Sequence, residues 1–288
     1  MMKIPLFWSD RFKENHLGDY NLMRIDNKLS GRLILAFHIS PTSFLSPGQA
    51  TFGGFWAESN TNIGESEFFQ IMQELKKEYD YMKFDFRFPP SHINNLNFRN
   101  QIESIRRNYP FIETEDVNQH LDLSNWSLGS MSHGNRKRIK QFSINGGRIH
   151  ECNPSMLEES LSVLEFSRIR KGLTLTMQKE HLINNLTKLD NDFRFYTAEL
   201  KGEVIGAAIT VDIGFSTRYV LYWGDNDAGR KYSVTAAICE FIANSAKMAG
   251  ITKLDLGVSS VGGNIDAGLH RFKLNLGAVD SSRKTLVF

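Results

Sequence analysis

Hydrophobic residues recur at three- and four-residue steps between Tyr232 and about Met248, a spacing that predicts an amphipathic helix. The positions that share its apolar face are Val234, Ile238, Phe241, Ile242 and Ser245. Gly250 supplies a stop signal, and the apolar run Ile251–Gly257 predicts a buried strand directly after it. Because another strand, Arg218–Trp223, precedes the helix, this part of the chain predicts a strand, a helix and a strand in succession.

The polar bend Asp225–Tyr232 joins the first of these strands to the helix. A helix N-terminus exposes backbone N–H groups at the positive end of its dipole, where a phosphate or another anion is stabilised. Arg230 and Lys231 place cations at the predicted helix start, an unfavourable position that a bound anion would relieve. The bend is therefore either an anion site or an ordinary solvated connection.

The second half of the chain predicts the order α, β, α, α, β, β, β, α, β, α, β. The remaining helices are Ser130–Asn145, Pro154–Lys171, Thr176–Leu189 and Ile265–Asn275, and the remaining strands are Arg148–Cys152, Phe193–Leu200, Glu203–Ile213 and Ser282–Phe288. Lys201 and Gly202 form a two-residue hairpin turn inside an antiparallel meander.

The first half predicts the order β, β, β, α, β, α, β. Its elements are the strands Asn21–Asp26 and Arg32–Ile39, an extended stretch Ser46–Trp56, the helix Glu65–Tyr79, the strand Tyr81–Phe88, the helix Phe98–Tyr109 and the extended segment Phe111–Leu123. Both halves contain a meander followed by helix, strand, helix and strand. This repetition predicts two copies of one α/β unit, divided into residues 1–125 and 126–288.

Composition allows a sizeable core and excludes several classes of protein. The 288 residues are 41% hydrophobic and include 21 phenylalanines. Lys and Arg number 34 against 32 Asp and Glu, so any basic site is local and a dedicated nucleic-acid binder is not indicated. The two cysteines, Cys152 and Cys239, predict neither a disulfide framework nor a metal site, and Cys239 is expected in the core. No signal peptide or membrane-spanning segment is indicated, which predicts a cytoplasmic protein.

Three passages of the second half carry recognisable motifs. The basic helix Leu128–Lys140 leads to the segment Gly147–Glu151, the meander closes on Tyr222 and Trp223, and Gly268–Ala278 contains Phe-Lys followed by Gly-Ala. Together these passages resemble the GNAT acyltransferase fold. The whole chain is similar to the tandem-GNAT proteins of the FemAB-like group, which includes the aminoacyl-tRNA-dependent peptidoglycan ligases. The resemblance rests on motifs in the second half and on architecture alone in the first.

This resemblance implies an α/β (α+β) fold of two GNAT-like, acyl-CoA N-acyltransferase-like domains. Each is expected to be a mixed, mostly antiparallel sheet flanked by helices, with a degenerate N-terminal copy and the donor site in the C-terminal copy. The implied reaction transfers an acyl or aminoacyl group to an amine without a metal. The bend Asp225–Tyr232 departs from the family's Arg/Gln-x-x-Gly-x-Gly/Ala spacing, so the donor is either an acyl-CoA or another activated acyl group such as an aminoacyl-tRNA.

The resemblance also nominates the residues of the site. Those expected to bind the donor are Tyr222, Trp223, Asn226, Gly229, Arg230, Lys231 and Tyr232. The three aromatics are alternatively core residues. Arg136, Arg138 and Lys140 are either an exposed basic helix or a surface for a phosphorylated substrate or a tRNA acceptor end, to which so small a cluster adds affinity rather than specificity.

Lys273 carries the central chemical prediction. Its ammonium either is solvated or stabilises the negative charge of the tetrahedral intermediate in acyl transfer. Asp225, Asp255 and His270 are the candidates for the base that deprotonates the amine, and each has a structural alternative.

The predicted function is an N-acyl or aminoacyl transferase acting on a small-molecule or cell-wall-precursor-like amine. The alternative is a catalytically silent GNAT-fold module that binds an anionic or nucleotide-linked ligand. Oligomeric state does not follow from the sequence.

Overall fold

The chain folds into two compact units, each assembled from more than one segment. Unit 1 comprises Met1–Val117, Ser260–Ile265 and Ser281–Phe288, and unit 2 comprises Asn118–Ser259 and Asp266–Asp280. The computed structural model describes residues 4–27, 29–48, 50–58, 62–151 and 156–288. Cys152 and Pro154, which the sequence places in a strand and at a helix start, lie outside the described residues.

The described residues of unit 1 form a sheet, a separate two-stranded hairpin and three α-helices. Its helices are α1 (Asp10–Asn15), α2 (Glu65–Glu78) and α3 (Leu96–Asn108), and its strands are β1 (Asn21–Asn27), β2 (Gly31–Ile39), β3 (Ser43–Ser46), β4 (Phe55–Ala57), β5 (Lys83–Arg87), the start of β6 (Ile112–Asp122), the hairpin β12 (Ser260–Val261) and β13 (Asn264–Ile265), and most of β14 (Val279–Val287). The sheet order is β1-β2-β3-β5-β14, with β4 paired to β2. Strands β3 and β5 run parallel, as a helix-containing crossover requires.

Alternating phenylalanines build the core of unit 1. Phe84 and Phe86 of β5 are fully buried, and Phe44 of β3 stacks on Phe84 with ring centroids 4.9 Å apart. Phe68 and Met72 of α2 are also fully buried. Aromatic side chains therefore form much of the core of unit 1.

Unit 2 contains the three-stranded meander and the long helix that follows it. Its helices are α4 (His133–Ile144), α5 (Leu157–Ile169), α6 (Lys179–Lys188), α7 (Asp227–Lys231), α8 (Val234–Met248) and α9 (Ala267–Leu274), and its strands are the end of β6, β7 (Arg148–Glu151), β8 (Phe193–Leu200), β9 (Glu203–Gly214), β10 (Thr217–Asp225) and β11 (Lys253–Val258). The sheet order is β6-β11-β10-β9-β8-β7. Pairing is antiparallel except between β10 and β11.

The meander and its hairpin turn are confirmed. Leu200 pairs with Glu203, and the residues between them, Lys201 and Gly202, have φ angles of 55° and 84°. Two successive positive φ angles define the type I′ turn that matches the twist of a hairpin. Cys239 is fully buried, as predicted, and burial raises the pKa of its thiol far above the usual range.

The predicted helix from Tyr232 is wrong at its start. The structure has a short helix α7 inside the expected polar bend, and α8 begins only at Val234. Ser233 separates the two helices with a φ of 51°, a left-handed conformation that reverses the chain locally. The sequence also missed α1 and the small hairpin of β12 and β13, which carry weak periodicity because they are short.

The predicted fold class is confirmed: both units have a mixed, mostly antiparallel sheet flanked by helices. Each unit completes its sheet with a strand from a distant part of the sequence. Residues 118–122 of β6 pair with β11 in unit 2, and residues 285–287 of β14 pair with β5 in unit 1. The division into domains at residues 125 and 126 stays a prediction, since these units are not continuous segments. No helix within the described ranges is long and apolar enough to span a bilayer.

Candidate functional site

The neighbouring strands β10 and β11 are paired along only part of their length. The parallel pairing joins Thr217 to Lys253 and ends where Tyr219 pairs with Asp255, although both strands continue. We call the two continuing arms, residues 220–225 of β10 and 256–258 of β11, the strand fork. A bulge on β10 between Val220 and Tyr222 shifts its register against β9 at the same level, and bulges re-aim strands in this way near functional sites.

Helix α9 connects the two arms of the strand fork. Lys273 donates hydrogen bonds of 2.8 Å to the carbonyl oxygens of Gly257 and Val258 on the β11 arm. The preceding residue, Phe272, packs edge-on against Trp223 of the β10 arm, with ring centroids 5.7 Å apart. Lys273 is only 1% exposed, so its ammonium is not solvated.

Buried polar side chains surround the end of β11. Asp255 is fully buried and accepts hydrogen bonds from Asn118 Nδ2 at 3.0 Å and from the backbone N–H of Gly257 at 2.7 Å. Burial raises the pKa of Asp255, and these two bonds together with the nearby Lys273 charge oppose the rise. Gly257 has a φ of 75°, which turns its carbonyl towards Lys273. Asp255 thus shapes the turn that holds the lysine.

His270 has a carboxylate partner. Its Nε2 lies 3.0 Å from a carboxylate oxygen of Asp280, and the two side chains are 23% and 52% exposed. Gln119 also donates to Asp280 at 3.0 Å and accepts from Ser259 Oγ at 2.6 Å. A histidine whose ring is oriented by a carboxylate has the geometry of a candidate general base.

Asp225, another of the three predicted bases, has hydrogen-bond donors on both carboxylate oxygens. Its Oδ1 accepts from Arg170 Nη2 at 2.8 Å, and its Oδ2 accepts from Thr235 Oγ1 at 3.0 Å. Arg170 also reaches Asp227 at 3.3 Å. Both carboxylate oxygens of Asp225 are therefore held by neighbouring side chains.

No protein-family model matches the sequence, and no curated protein matches it. Among solved structures, the chain is similar to FemX, with a TM-score of 0.67 and 12% identity over 97% of this chain and 90% of that one. It is also similar to L-PGS from Bacillus licheniformis, with a TM-score of 0.63 and 15% identity over 94% of this chain and 84% of that one.

A GCN5-related N-acetyltransferase from Kribbella flavida gives a TM-score of 0.50 and 9% identity over 93% of this chain and 89% of that one. This chain has the fold of the FemAB-like GNAT group. The resemblance predicted from three short motifs is therefore confirmed at the level of fold, and identities this low carry no activity with them.

In this GNAT fold, several backbone N–H groups of the bend Asp225–Tyr232 donate hydrogen bonds within the chain. Asn226 Oδ1 accepts from the N–H of Gly229 at 3.0 Å, and Asn226 Nδ2 donates to Val204 O. The N–H groups of Arg230, Tyr232 and Ser233 donate to carbonyl oxygens within the bend. Gly229 itself is packed so closely that a Cβ there would lie 2.2 Å from Ile205 O. Binding of a CoA pyrophosphate at this bend stays a prediction.

Arg230 and Lys231 lie at a helix end and not at the helix start that the sequence predicts. Both lie in the last turn of α7, where the helix dipole favours cations, and both are exposed. Their placement therefore needs no bound anion. The prediction failed because the sequence did not reveal α7, which converts an expected helix start into a helix end.

The three predicted aromatics are packed against their neighbours. Tyr222 is buried, and its hydroxyl accepts from the backbone N–H of Met177 at 3.1 Å and bonds the hydroxyl of Thr176. Tyr222 therefore anchors the segment before α6. Tyr232 lies beside Phe142 of α4 with ring centroids 6.3 Å apart. Of the three, Trp223 is the one in contact with α9 at the strand fork.

The basic helix α4 meets the start of α8. Arg138 Nη1 donates to Ser233 Oγ at 2.8 Å, which places a guanidinium at the residue preceding α8. Arg136 and Lys140 are exposed on the same helix. The structure thus brings Arg138 to a helix N-terminus, where anions are stabilised, and leaves the other two cations on the surface.

Sequence reasoning missed the cations at the end of α5. Loss of hydration lowers the pKa of Lys171. The positive charges of Arg170 and Arg168 lower this pKa further, and the negative charges of Asp225 and Asp266 raise it. Lys171 is therefore within electrostatic range of the end of β10 and of the residue that caps α9. The run Arg168-Ile-Arg-Lys171 was a visible signal at a predicted helix end, where cations are usually unremarkable.

It also missed Asn118 and Gln119, which are almost fully buried. Their signal was a polar run, Asn-Gln-His, inside an otherwise plausible buried strand. Among the described residues, no group of three or more His, Cys, Asp or Glu side chains is placed to hold a metal ion.

Proposed function

We propose that this chain is a transferase that forms an amide bond between an activated acyl or aminoacyl donor and an amine. The observation that carries the proposal is the strand fork spanned by α9, which sets the ammonium of Lys273 against the β11 arm and the ring of Phe272 against the β10 arm. The strand fork can present backbone groups and a fixed positive charge to a reactive carbonyl. The GNAT fold supports the same class of reaction.

Lys273 is proposed to stabilise the charge that develops during the reaction. The amine attacks the donor carbonyl carbon, a C–N bond forms, and negative charge collects on the carbonyl oxygen. The leaving oxygen or sulfur then departs as that charge returns to the carbonyl. Because Gly257 and Val258 already hold the ammonium in place, its field needs no reorganisation in the transition state.

His270 is proposed to take the proton that the amine loses. Nε2 faces Asp280, so the other ring nitrogen, Nδ1, is the atom that would accept it. The carboxylate stabilises the imidazolium formed in this step. Asp225 is a poorer choice for this role, because Arg170 and Thr235 occupy its oxygens.

An aminoacyl-tRNA is favoured over an acyl-CoA as the donor. The backbone of the bend Asp225–Tyr232 is engaged by its own residues, whereas Arg138 lies at the start of α8 with Arg136 and Lys140 exposed on the same helix. Those cations are proposed to contact donor phosphates. The resemblance to the FemAB-like group points the same way, and it suggests a small-molecule or cell-wall-precursor-like amine as the acceptor.

The donor class is tested by melting the full chain with a panel of acyl-CoAs and with aminoacyl-tRNAs, followed by detection of the amide by mass spectrometry. A ligand at a hundred times its Kd adds about 2.7 kcal/mol to the free energy of unfolding. We expect aminoacyl-tRNA to raise the melting temperature and to yield an amide. Transfer from acyl-CoA alone would overturn the donor assignment but leave the transferase. Binding without transfer from any donor would assign the silent binding module instead.

The role of Lys273 is tested with Lys273→Gln, and Arg271→Gln on the exposed face of α9 is the matched control. Removing a donor to the developing oxyanion is expected to lower kcat about 100- to 1000-fold with donor binding retained. Arg271→Gln is expected to keep wild-type kcat. Circular dichroism checks that both variants fold.

The proposed role of His270 as the proton acceptor is tested by substituting this partly exposed side chain. His270→Gln is expected to abolish the acidic limb of the pH–rate profile, since that limb reports ionisation of the base. An unchanged profile in a folded, active variant would remove His270 from the mechanism.

A further inference from the structure

A pocket of about 290 Å³ lies beside helix α3 in unit 1, and we call it the α3 pocket. Its walls are the segment that follows β5, one side of α3 and residues 282 and 284 of β14, all of which belong to unit 1. The apolar residues that line it are Pro89, Pro90, Ile93, Phe98 and Ile102. Ligand pockets commonly measure about 300–1,000 Å³, so this one suits a small molecule with an apolar body.

The segment between β5 and α3 is held in place by hydrogen bonds. The backbone N–H of Ser91 donates to Ser282 O at 2.7 Å, and the N–H of Ser282 donates to Ser91 Oγ at 3.0 Å. The N–H of Ile93 donates to Pro90 O at 2.9 Å, which closes a turn. Because these bonds fix the wall of the α3 pocket against β14, a ligand would not need to order the wall when it binds.

Two of the three cations that line the α3 pocket already have carboxylate partners. Arg106 donates to the two carboxylate oxygens of Glu113 at 2.6 and 2.9 Å, and to Glu103 at 2.7 Å. Lys284 donates to Glu113 at 3.0 Å. The third cation is Arg99, which forms no ion pair with any carboxylate of the residues that the structure describes.

Arg99 has donors to spare for a ligand. Its side chain is exposed, and Nη2 donates to Asn94 Oδ1. A guanidinium carries five N–H donors in a planar fork that matches the two oxygens of a carboxylate. The bond to Asn94 uses one of these donors, so the others can reach an anionic group. Arg99 therefore adds a carboxylate-binding side chain to a pocket whose other lining is largely apolar.

We propose that the α3 pocket binds a small carboxylic acid with an apolar body. The apolar part packs against Phe98 and Ile102, and the carboxylate accepts hydrogen bonds from Arg99. A neutral ligand of the same shape gains the apolar contacts but not the charged hydrogen bonds, so the site selects the acid. The site lies wholly within unit 1, and it does not depend on the strand fork or on the proposed transferase activity.

The probes are phenylacetate, 4-phenylbutyrate and 4-methylvalerate, each compared with its primary amide, which has the same shape without the charge. Saturation-transfer NMR titrations of the full chain at pH 7 give the Kd of each. We expect at least one acid to bind with a Kd on the order of 1 mM, and its amide to bind at least about fivefold more weakly. Equal affinities for acid and amide, or no binding of any acid up to about 20 mM, would overturn the proposal.

The contribution of the guanidinium is tested with Arg99→Gln. Arg107→Gln is the matched control, since Arg107 is exposed on the same helix and does not line the α3 pocket. In Arg99→Gln the acid is expected to lose at least about fivefold in affinity while its amide binds as before, and in Arg107→Gln both are expected to keep their wild-type Kd. An acid that still binds better than its amide in Arg99→Gln would contradict the assignment.

The location of the site is tested with Ile102→Trp, which fills the α3 pocket with a larger side chain. Ile102 is half-buried, so the substitution is expected to leave circular dichroism unchanged and to abolish binding of both the acid and the amide. Wild-type affinity in a folded Ile102→Trp variant would place the binding site elsewhere and refute the proposal.

Discussion

Gly229 lies in the bend Asp225–Tyr232 at a position that leaves no room for a side chain. A Cβ at this position would lie 2.2 Å from Ile205 O and 2.8 Å from Val234 Cγ1. We expect Gly229→Ala to lower the free energy of unfolding by about 1–3 kcal/mol, because backbone atoms cannot yield to the added methyl group. Urea denaturation monitored by circular dichroism measures the change.

Gly134 offers the control for this substitution. It lies in α4, and a Cβ added there would meet no atom within 4 Å. Gly134→Ala is expected to be neutral or to stabilise the chain by up to about 1 kcal/mol, because alanine loses less backbone entropy in a helix. Equal losses of stability at Gly134 and Gly229 would contradict the packing argument.

The surroundings of some candidate site residues could be predicted from the sequence, and those of others could not. Lys273 and His270 were chosen from a short motif, and the structure places them on one helix with distinct partners. Arg230 and Lys231 were misjudged because a side chain's electrostatic meaning depends on which end of a helix it occupies. Asn226 caps the start of α7, which places Arg230 and Lys231 at the end of that helix.

At the scale of elements, the hairpin between β8 and β9 is the most predictable feature of the chain. Lys201 occupies the first central position of its type I′ turn with a φ of 55°. Asparagine tolerates this conformation, whereas a β-branched residue does not. We expect Lys201→Asn to raise the free energy of unfolding by about 0.5 kcal/mol and Lys201→Val to lower it by about 1 kcal/mol, measured by urea denaturation. The same sign for both variants would refute the turn assignment.

Long periodic elements were predicted to within a few residues, whereas the short helices α1 and α7 were missed. Helix α8 has fifteen residues and a clear apolar face, and its end at Met248 matches the prediction. Helix α7 has five residues, too few for a periodic signal, and its stability comes from the Asn226 cap and from packing against β9. Helix interiors are encoded locally, whereas such short turns depend on their tertiary neighbours.

At the scale of the whole molecule, stability against pH is expected to contain two opposing contributions. Burial raises the pKa of Asp255, so its contribution to stability is largest below its unfolded pKa and is lost as the pH rises through the folded value. The Arg106 guanidinium lowers the pKa of Glu113, and Lys284 adds to this effect. The contribution of Glu113 is therefore present above its unfolded pKa and is lost as the pH falls.

Neutral amides separate these contributions. Asp255→Asn keeps an acceptor for Asn118 and Gly257, and relative to the wild type it is expected to gain stability between about pH 4 and pH 7. Glu113→Gln is expected to lose most stability at neutral pH, with the loss shrinking below about pH 4. Urea unfolding across this range measures both, and curves parallel to the wild type would disprove the assignments.

The sequence by itself determined the order of the long elements, the mixed α/β class and the presence of Lys273 on a short helix near the end of the chain. Those features follow from apolar periodicity and from short motifs, which are local. Tertiary structure alone decided that β6 completes unit 2 and β14 completes unit 1, that pairing of β10 with β11 stops at Tyr219, and that the bend Asp225–Tyr232 contains the short helix α7. These features are set by which distant segments pair and pack, and no local pattern in a single sequence records that choice.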